Sequence, residues 1–295
     1  MNHRDLWKSP RNQVVILLLT SFCLLFIAAA IPTSRYFTTI GAAIAAIVAV
    51  MRSLHSISLK VAAIHAFTKE MPTRVGLTLA PEMHSMHVIL TRFPECNIPT
   101  TSWSLRFTNL HAVMEILDER QPQTIVEFGS GISTLLLAAW LRERGQGRLI
   151  SFDHDESWAK CTKFRLEQNG LASWVSIVCA PLVETASFGR ASLWYNADQE
   201  LSNLSDVGLV VVDGPPRNSS NGALARLPAF VKMYSALADD CWIVLDDMIR
   251  ADEQEIVNIW TAHYPDFALR ILPGYSGAAI LHRSQRLTEP VKTQL

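Results

Sequence analysis

The chain has 295 residues, with 26 Lys and Arg against 27 Asp and Glu and a formal net charge of −1. This near-neutral balance, with the basic residues scattered, excludes the electrostatic footprint of a nucleic-acid binder. Cys23, Cys96, Cys161, Cys179 and Cys241 are odd in number and contain no C-x-x-C pair, so neither a disulfide framework nor a zinc site is expected, in keeping with a reducing compartment.

The first segment, Val14 to Ile31, is eighteen residues without a charge, preceded by Arg4, Lys8 and Arg11. As a helix it would reach about 27 Å, close to the thickness of a bilayer core. A cleavable signal peptide is the alternative, because Ala28 to Ala30 resembles a cleavage site, yet the apolar run exceeds the usual ~7 to 15 residues of such signals. A second apolar run, Phe37 to Met51, is fifteen residues long and short for a span. Gly41, Ala45 and Ala49 would form a small-residue face on it, suited to close helix approach, so a helical hairpin anchor is expected over 1–52. Basic residues flank both outer ends, with only Arg35 in the link, which puts both ends on the cytoplasmic side.

Residues 53–100 combine an amphipathic stretch (Leu54, Ile57, Val61, Ile64, Phe67) with Pro72, Pro81, Pro94 and Pro99, and are read as a connector. From 101 to 285, helix-length and strand-length segments alternate, the pattern of a mostly parallel sheet covered by helices. Strands are predicted at 124–128, 148–152, 175–179, 207–212 and 242–245, then 268–272 and 277–282 as a hairpin around Pro273-Gly274-Tyr275-Ser276. Helices are predicted at 105–119, 133–144, 156–169, 223–237 and 252–263. Residues 286–295 are read as a tail.

The most informative segment is Glu127-Phe-Gly129-Ser130-Gly131-Ile-Ser-Thr134, where a strand runs through glycines into a helix start that offers free N–H groups. A dinucleotide fingerprint would place its third glycine at position 134, which is Thr134, and a phosphate gains nothing from the Glu127 carboxylate. A ligand with an ammonium and a sulfonium suits that carboxylate better. Asp153 ends the next strand, twenty-two residues after Gly131, where a carboxylate can accept both hydroxyls of a ribose. Asp155 is read as a helix cap.

Glu127 to Thr134, Ser151-Phe-Asp-His-Asp155 followed by Trp158, Ala180-Pro181-Leu182, Val212-Asp213-Gly-Pro-Pro216, Ala225-Arg226 and Leu245-Asp246-Asp247 together resemble the bacterial class I methyltransferases of the methyltransferase 24 type. The likeness covers about residues 100 to 283. It implies a Rossmann-like α/β fold with a seven-stranded, mostly parallel sheet ending in an antiparallel hairpin. It also implies S-adenosylmethionine at the ends of the first two strands, contacted by Glu127, Gly129, Ser130, Gly131, Thr134, Asp153 and Asp213. The family's acidic or amide residue for adenine has no counterpart in Ala180-Pro181, which leaves adenine recognition unassigned.

Methyl transfer needs alignment of donor and acceptor and removal of the acceptor's proton. Asp213 and Asp246, at the ends of two adjacent predicted strands, and Arg226 are the candidate catalytic residues. Asp213, Asp246 and Asp247 resemble the carboxylate set of cation-dependent catechol-type methyltransferases and are a candidate Mg²⁺ site, although the lysine base of those enzymes has no match. The expected activity is therefore methylation, foremost of a hydroxyl, on a small or envelope-associated acceptor, by an enzyme anchored in the inner membrane with its catalytic domain in the cytoplasm. Two other readings remain: an inactive cofactor-binding interaction module at the membrane, and an NAD-dependent oxidoreductase. The acceptor and the oligomeric state are not legible. For the topology, a reporter fused after Leu295 is expected to signal cytoplasm, and a periplasmic signal would defeat the hairpin.

Overall fold

The computed structural model describes residues 20–22, 36–96, 105–217 and 222–283. The first expected span, 14–31, lies outside the described residues apart from Thr20–Phe22, which are helical, and the 286–295 tail lies outside them too. The chain divides into two units, Met1–Pro72 and Thr73–Leu295.

In the first unit the apolar run at 37–51 is helical, but the helix does not end at Met51. Helix α1 covers Tyr36–Arg92, 57 residues. Its stretch long and apolar enough to cross a bilayer is Ala43–Ala62, 20 residues of mean hydropathy 1.5, none of it buried. At ~1.5 Å per residue this is about 30 Å, a full bilayer core. Ile44, Ile47, Met51, Leu54 and Ile57 are exposed along it.

The connector expected over 53–100 is corrected by the same helix, which passes both Pro72 and Pro81. An interior proline costs a helix ~3 kcal/mol. At Pro81 that cost is offset by docking within the second unit, where Ile89 and the following Phe93 enter the core. Arg92 forks onto Asp118 at 2.6 and 2.9 Å and onto Glu143 at 3.0 Å. Glu82 accepts hydrogen bonds from the backbone N–H groups of Phe107 and Thr108 at 2.9 and 3.1 Å, so it caps α2 (Phe107–Arg120) in place of Arg106, whose side chain makes no capping bond.

After α2, the second unit alternates β1 (Thr124–Phe128), α3 (Ile132–Arg144), β2 (Arg148–Asp153), α4 (Glu156–Gln168) and β3 (Val175–Cys179). It continues with β4 (Leu182–Ser187), β5 (Arg190–Tyr195), α5 (Asp198–Ser202), β6 (Val207–Val212), α6 (Pro228–Met233), β7 (Leu237–Asp246), α7 (Ala251–His263), β8 (Ala268–Leu272) and β9 (Ala278–Arg283). Seven strands form one sheet in the order β3-β2-β1-β6-β7-β9-β8, parallel through β7, with β9 and β8 antiparallel. This is the seven-stranded, Rossmann-like arrangement expected.

Side chains alternate across each strand, which supplies two apolar layers. Ile125, Leu149, Leu209 and Val244 face one layer with α2 and α3, while Val126, Phe152, Val210 and Ile243 face the other with α7. Burial on both faces explains why β6 is an unbroken apolar run.

Besides the short α5, which was not expected, two elements differ from expectation. The helix predicted over 223–237 starts late: 223–227 are turn, α6 begins at Pro228, whose missing N–H and fixed φ suit a first helical turn, a 3₁₀ turn follows at Tyr234–Ala236, and β7 starts at Leu237. Arg226 is thereby left in a turn. The second is the β4–β5 hairpin, absent from the reading, which closes through Phe188 and Gly189 at φ 52 and 74. Positive φ at both central residues matches the twist of the flanking strands.

Trp260 on α7 is fully buried and donates its indole N–H to the Leu227 carbonyl at 3.0 Å. Trp260→Ala is expected to destabilise the full chain by about 3–5 kcal/mol in denaturant titrations, against less than about 0.5 kcal/mol for exposed Phe164→Ala.

Candidate active site

Chain order reverses between β1 and β6, so a crevice opens at the carboxyl ends of these neighbours. It holds about 300 Å³, the lower end of the ~300–1,000 Å³ usual for ligand pockets, and Gly131, Asp153, Trp158, Tyr195 and Asp213 are in its wall. A second hollow of about 380 Å³ shares Asp213 and Pro216 with it and is floored by Arg226, Asp246 and Asp247.

The loop after β1 is tightly specified. Gly129 has φ 99, and a Cβ there would lie 2.9 Å from the Gly214 nitrogen. Gly131 is different: its backbone is extended, and nothing lies within 4 Å of where a Cβ would stand. Its bare position keeps the crevice open. Between them, Ser130 donates its N–H and its hydroxyl to one oxygen of Asp153, at 3.0 and 2.5 Å, and accepts the Trp158 indole N–H at 2.6 Å. The other Asp153 oxygen accepts the Asp155 N–H at 3.0 Å, and Asp155 caps α4 through the Trp158 N–H at 2.9 Å.

Glu127 and Thr134 are placed under this loop and do not line the crevice. Thr134 Oγ1 accepts from the Gly131 N–H at 2.8 Å and donates to Glu127 at 2.5 Å. Ser151 donates to the same Glu127 oxygen at 2.6 Å, and the second oxygen is unpartnered among the described residues. Complete burial pushes the Glu127 carboxyl up to about 7, against the opposing hydroxyls of Ser133, Ser151 and Thr134. Glu127 thus braces the loop from below.

Asp213, Asp246 and Asp247 are brought together at the ends of β6 and β7, each offering a carboxylate oxygen within 4.8 Å of the others. Arg226, 3% exposed, is spent on them. It donates to the carbonyls of Asp213 and Asp246, reaches Asp247 at 3.0 Å and Asp213 Oδ1 at 3.4 Å, and lies 3.8 Å from Glu253. Arg250 pairs with Asp247 at 2.7 Å. Burial first, then the Asp246 carboxylate, holds Asp213 well above the usual carboxylate range. Asp246 is also raised, by burial and by Asp247, although Asn109 donates to it at 2.6 Å and Ser276 at 3.2 Å.

A family model described as a methyltransferase domain matches residues 126–248. Over those residues the chain matches a methyltransferase domain, and they lie within the seven-stranded, Rossmann-like sheet. Among solved structures, the chain is similar to a methyltransferase from Geobacter sulfurreducens at 19% identity and TM-score 0.45, over 68% of this chain and 88% of that one. It is similar to an O-methyltransferase from Streptomyces achromogenes involved in tomaymycin synthesis, solved with SAM, at 17% identity and TM-score 0.47 over 68% and 89% of the two chains. For an O-methyltransferase from Bacillus cereus in complex with SAH the values are 17% and 0.48, over 72% and 96%. No curated sequence matches the chain.

The methyltransferase domain uses residues that sequence reasoning did not assign. Trp158 pins the glycine loop, and Asn109 and Ser276 fix Asp246. Only Asn109 left a signal, as a polar residue on the otherwise apolar buried face of α2. Glu127 offers a direct measurement of its environment. Its raised folded value means the folded state binds a proton that the unfolded state has released, so this contribution is present below about 4.5 and lost as pH rises towards 7. In Glu127→Gln the decline of stability across that window, up to about 3 kcal/mol, is expected to flatten when thermal midpoints are followed against pH. An unchanged profile would show that Glu127 ionises normally.

Proposed function

We propose that this methyltransferase binds S-adenosylmethionine in the crevice between β1 and β6 and transfers its methyl group to a hydroxyl of a small or envelope-associated acceptor held in the adjoining hollow. The observation that carries this reading is the shared wall at Asp213: a crevice suited to a nucleoside opens onto an acid-floored hollow. Two features fit the cofactor. Gly131 leaves a bare cradle that a side chain would fill, and Asp153, held in one orientation by Ser130 and Asp155, retains lone pairs for ribose hydroxyls. The cofactor supplies an electrophilic methyl group on a positively charged sulfur.

In this reading Asp153 orients the sugar and Ser130 orients Asp153. Asp213 would accept the proton of the acceptor hydroxyl, and burial together with the Asp246 carboxylate raises its proton affinity above that of an ordinary carboxylate. Arg226 and Asp246 position Asp213 and its neighbours. A second reading is favoured by charge: Asp213, Asp246, Asp247 and Glu253 outnumber Arg226 and Arg250 by two negative charges. Asp213, Asp246 and Asp247 would then hold Mg²⁺, which would polarise the acceptor hydroxyl. The apolar Ala43–Ala62 stretch supports anchoring of the enzyme to a membrane, with the cosubstrate requiring the domain to face the cytoplasm.

Calorimetry on the full chain in detergent is expected to detect S-adenosylhomocysteine, with at least tenfold weaker binding by Asp153→Ala; no binding by the wild type would sink the cofactor assignment. With labelled cofactor and an envelope extract, Asp213→Asn is expected to lower transfer by roughly 10²–10⁴-fold while leaving cofactor binding within about twofold. Transfer abolished by EDTA and restored by Mg²⁺ would select the metal reading, and transfer indifferent to EDTA would leave Asp213 as the base.

A further inference from the structure

The last residue of the β4–β5 hairpin, Tyr195, is 1% exposed, and its hydroxyl has no hydrogen-bond partner among the described residues. Leaving a buried hydroxyl unpaired costs roughly 1–3 kcal/mol, and such groups in a native fold call for a reason. Tyr195 cannot relieve the cost by turning. Its backbone is paired with Leu182, its ring stacks on Phe128 at 5.6 Å, and Trp194 closes on it edgewise at 4.9 Å. The phenol is therefore held against the seam where Gly129 and Gly214 meet, so close that a Cβ on Gly214 would overlap it. Tyr195 also belongs to the wall of the crevice.

Position along the crevice narrows what this group would meet. Asp153 closes the β2 side, while Tyr195 stands at the β1–β6 seam next to Asp213 and Gly214, where the crevice joins the second hollow. With the ribose at Asp153, the methyl-bearing sulfur must approach Asp213 for transfer into that hollow, which brings the amino-acid half of the cofactor to the seam. Resting on that proposed cofactor reading, we infer that the Tyr195 hydroxyl is a cofactor-binding group that hydrogen-bonds the amino-acid half of S-adenosylmethionine, and that its partner is supplied only by the ligand. Burial and the neighbouring Asp153 carboxylate push the phenol well above its ordinary value, so it remains an O–H donor at any working pH.

The inference separates from a merely structural tyrosine by the sign of two measurements on the full chain in detergent. Tyr195→Phe removes an unpaired group, so the melting temperature without ligand is expected to stay level or rise. Calorimetric affinity for S-adenosylhomocysteine should fall about 3- to 10-fold, the usual worth of one hydrogen bond. Affinity for 5′-methylthioadenosine, which lacks the amino-acid half, should stay within about twofold. Unchanged affinity for S-adenosylhomocysteine, an equal loss for both ligands, or a lowered melting temperature without ligand would each overturn the assignment. A wild type that binds neither ligand overturns the cofactor reading itself, and this inference with it.

Discussion

The site depends on one carbonyl. Phe128 O, at the end of β1, accepts hydrogen bonds from both Asp213 N at 2.9 Å and Gly214 N at 2.7 Å. Two donors on one acceptor draw the ends of β1 and β6 together just past the last paired residues, Phe128 and Val212. From that convergence follow the glycines: Gly129 and Gly214 face each other with no room for a Cβ on either. The next donor along, Gly129 N, goes to Phe152 O at 2.8 Å and ties the same loop to β2. With both flanks fixed, Ser130 has one place to go, which is onto Asp153. Asp213 is carried to the boundary between crevice and hollow by the same turn.

Charge at the neighbouring strand ends is balanced only in part. A guanidinium as buried as that of Arg226 is tolerable because carboxylates and carbonyls surround it, and removing any one partner would leave the rest costly. Burial, and next to it carboxylates that outnumber the two arginines, raises proton affinity at Asp213 and Asp246. The same burial and crowding of like charge weaken the folded state there and raise the proton affinity of Asp213. Asn109 and Ser276 keep Asp246 hydrogen-bonded and directed at its neighbours, which confines the excess charge to the face that opens on the hollow.

The alternation of strands and helices was legible because β1, β2, β6 and β7 are buried on both faces and read as apolar runs with glycines and carboxylates at their ends. Strand ends are also where the crevice of a parallel sheet lies, so the places of Asp153 and Asp213 along its wall, and of Asp246 in the adjoining hollow, were legible from position. Errors arose where tertiary contacts override local preference. Pro81 looked like punctuation, but Ile89, Phe93 and Arg92 hold its helix down. Residues 223–227 had helical composition, yet Arg226 is drawn to the acidic cluster and the helix waits for Pro228. Glu127 was read as facing the ligand because its position in the motif suggested it; which side of β1 it faces is settled by the pleat, and the hydroxyls of Thr134 and Ser151 claim it. The role of Trp158 depends on a loop carbonyl 28 residues away, a contact no local pattern encodes.

Satisfied and unsatisfied polar groups are not mixed at random around the crevice. Ser130, Asp153 and Asp155 exchange hydrogen bonds, which makes them scaffold as well as surface, while Thr134 holds the loop from beneath. The groups left without partners among the described residues include Tyr195 Oη, one oxygen of Glu127 and Nε of Arg226, all within or just beneath the β1–β6 junction. Against these local costs stand two continuous apolar layers, one on each face of the sheet, built from fully buried side chains such as Leu117, Leu135, Phe230 and Trp260. The labour is thus divided along the strands. Their middles supply the burial that stabilises the fold, and their carboxyl ends spend part of that stability on groups oriented in advance for a ligand. A substitution in the layers should therefore register mainly in folding, whereas one at the strand ends should register mainly at the crevice, where Tyr195 Oη and Arg226 Nε lack partners among the described residues.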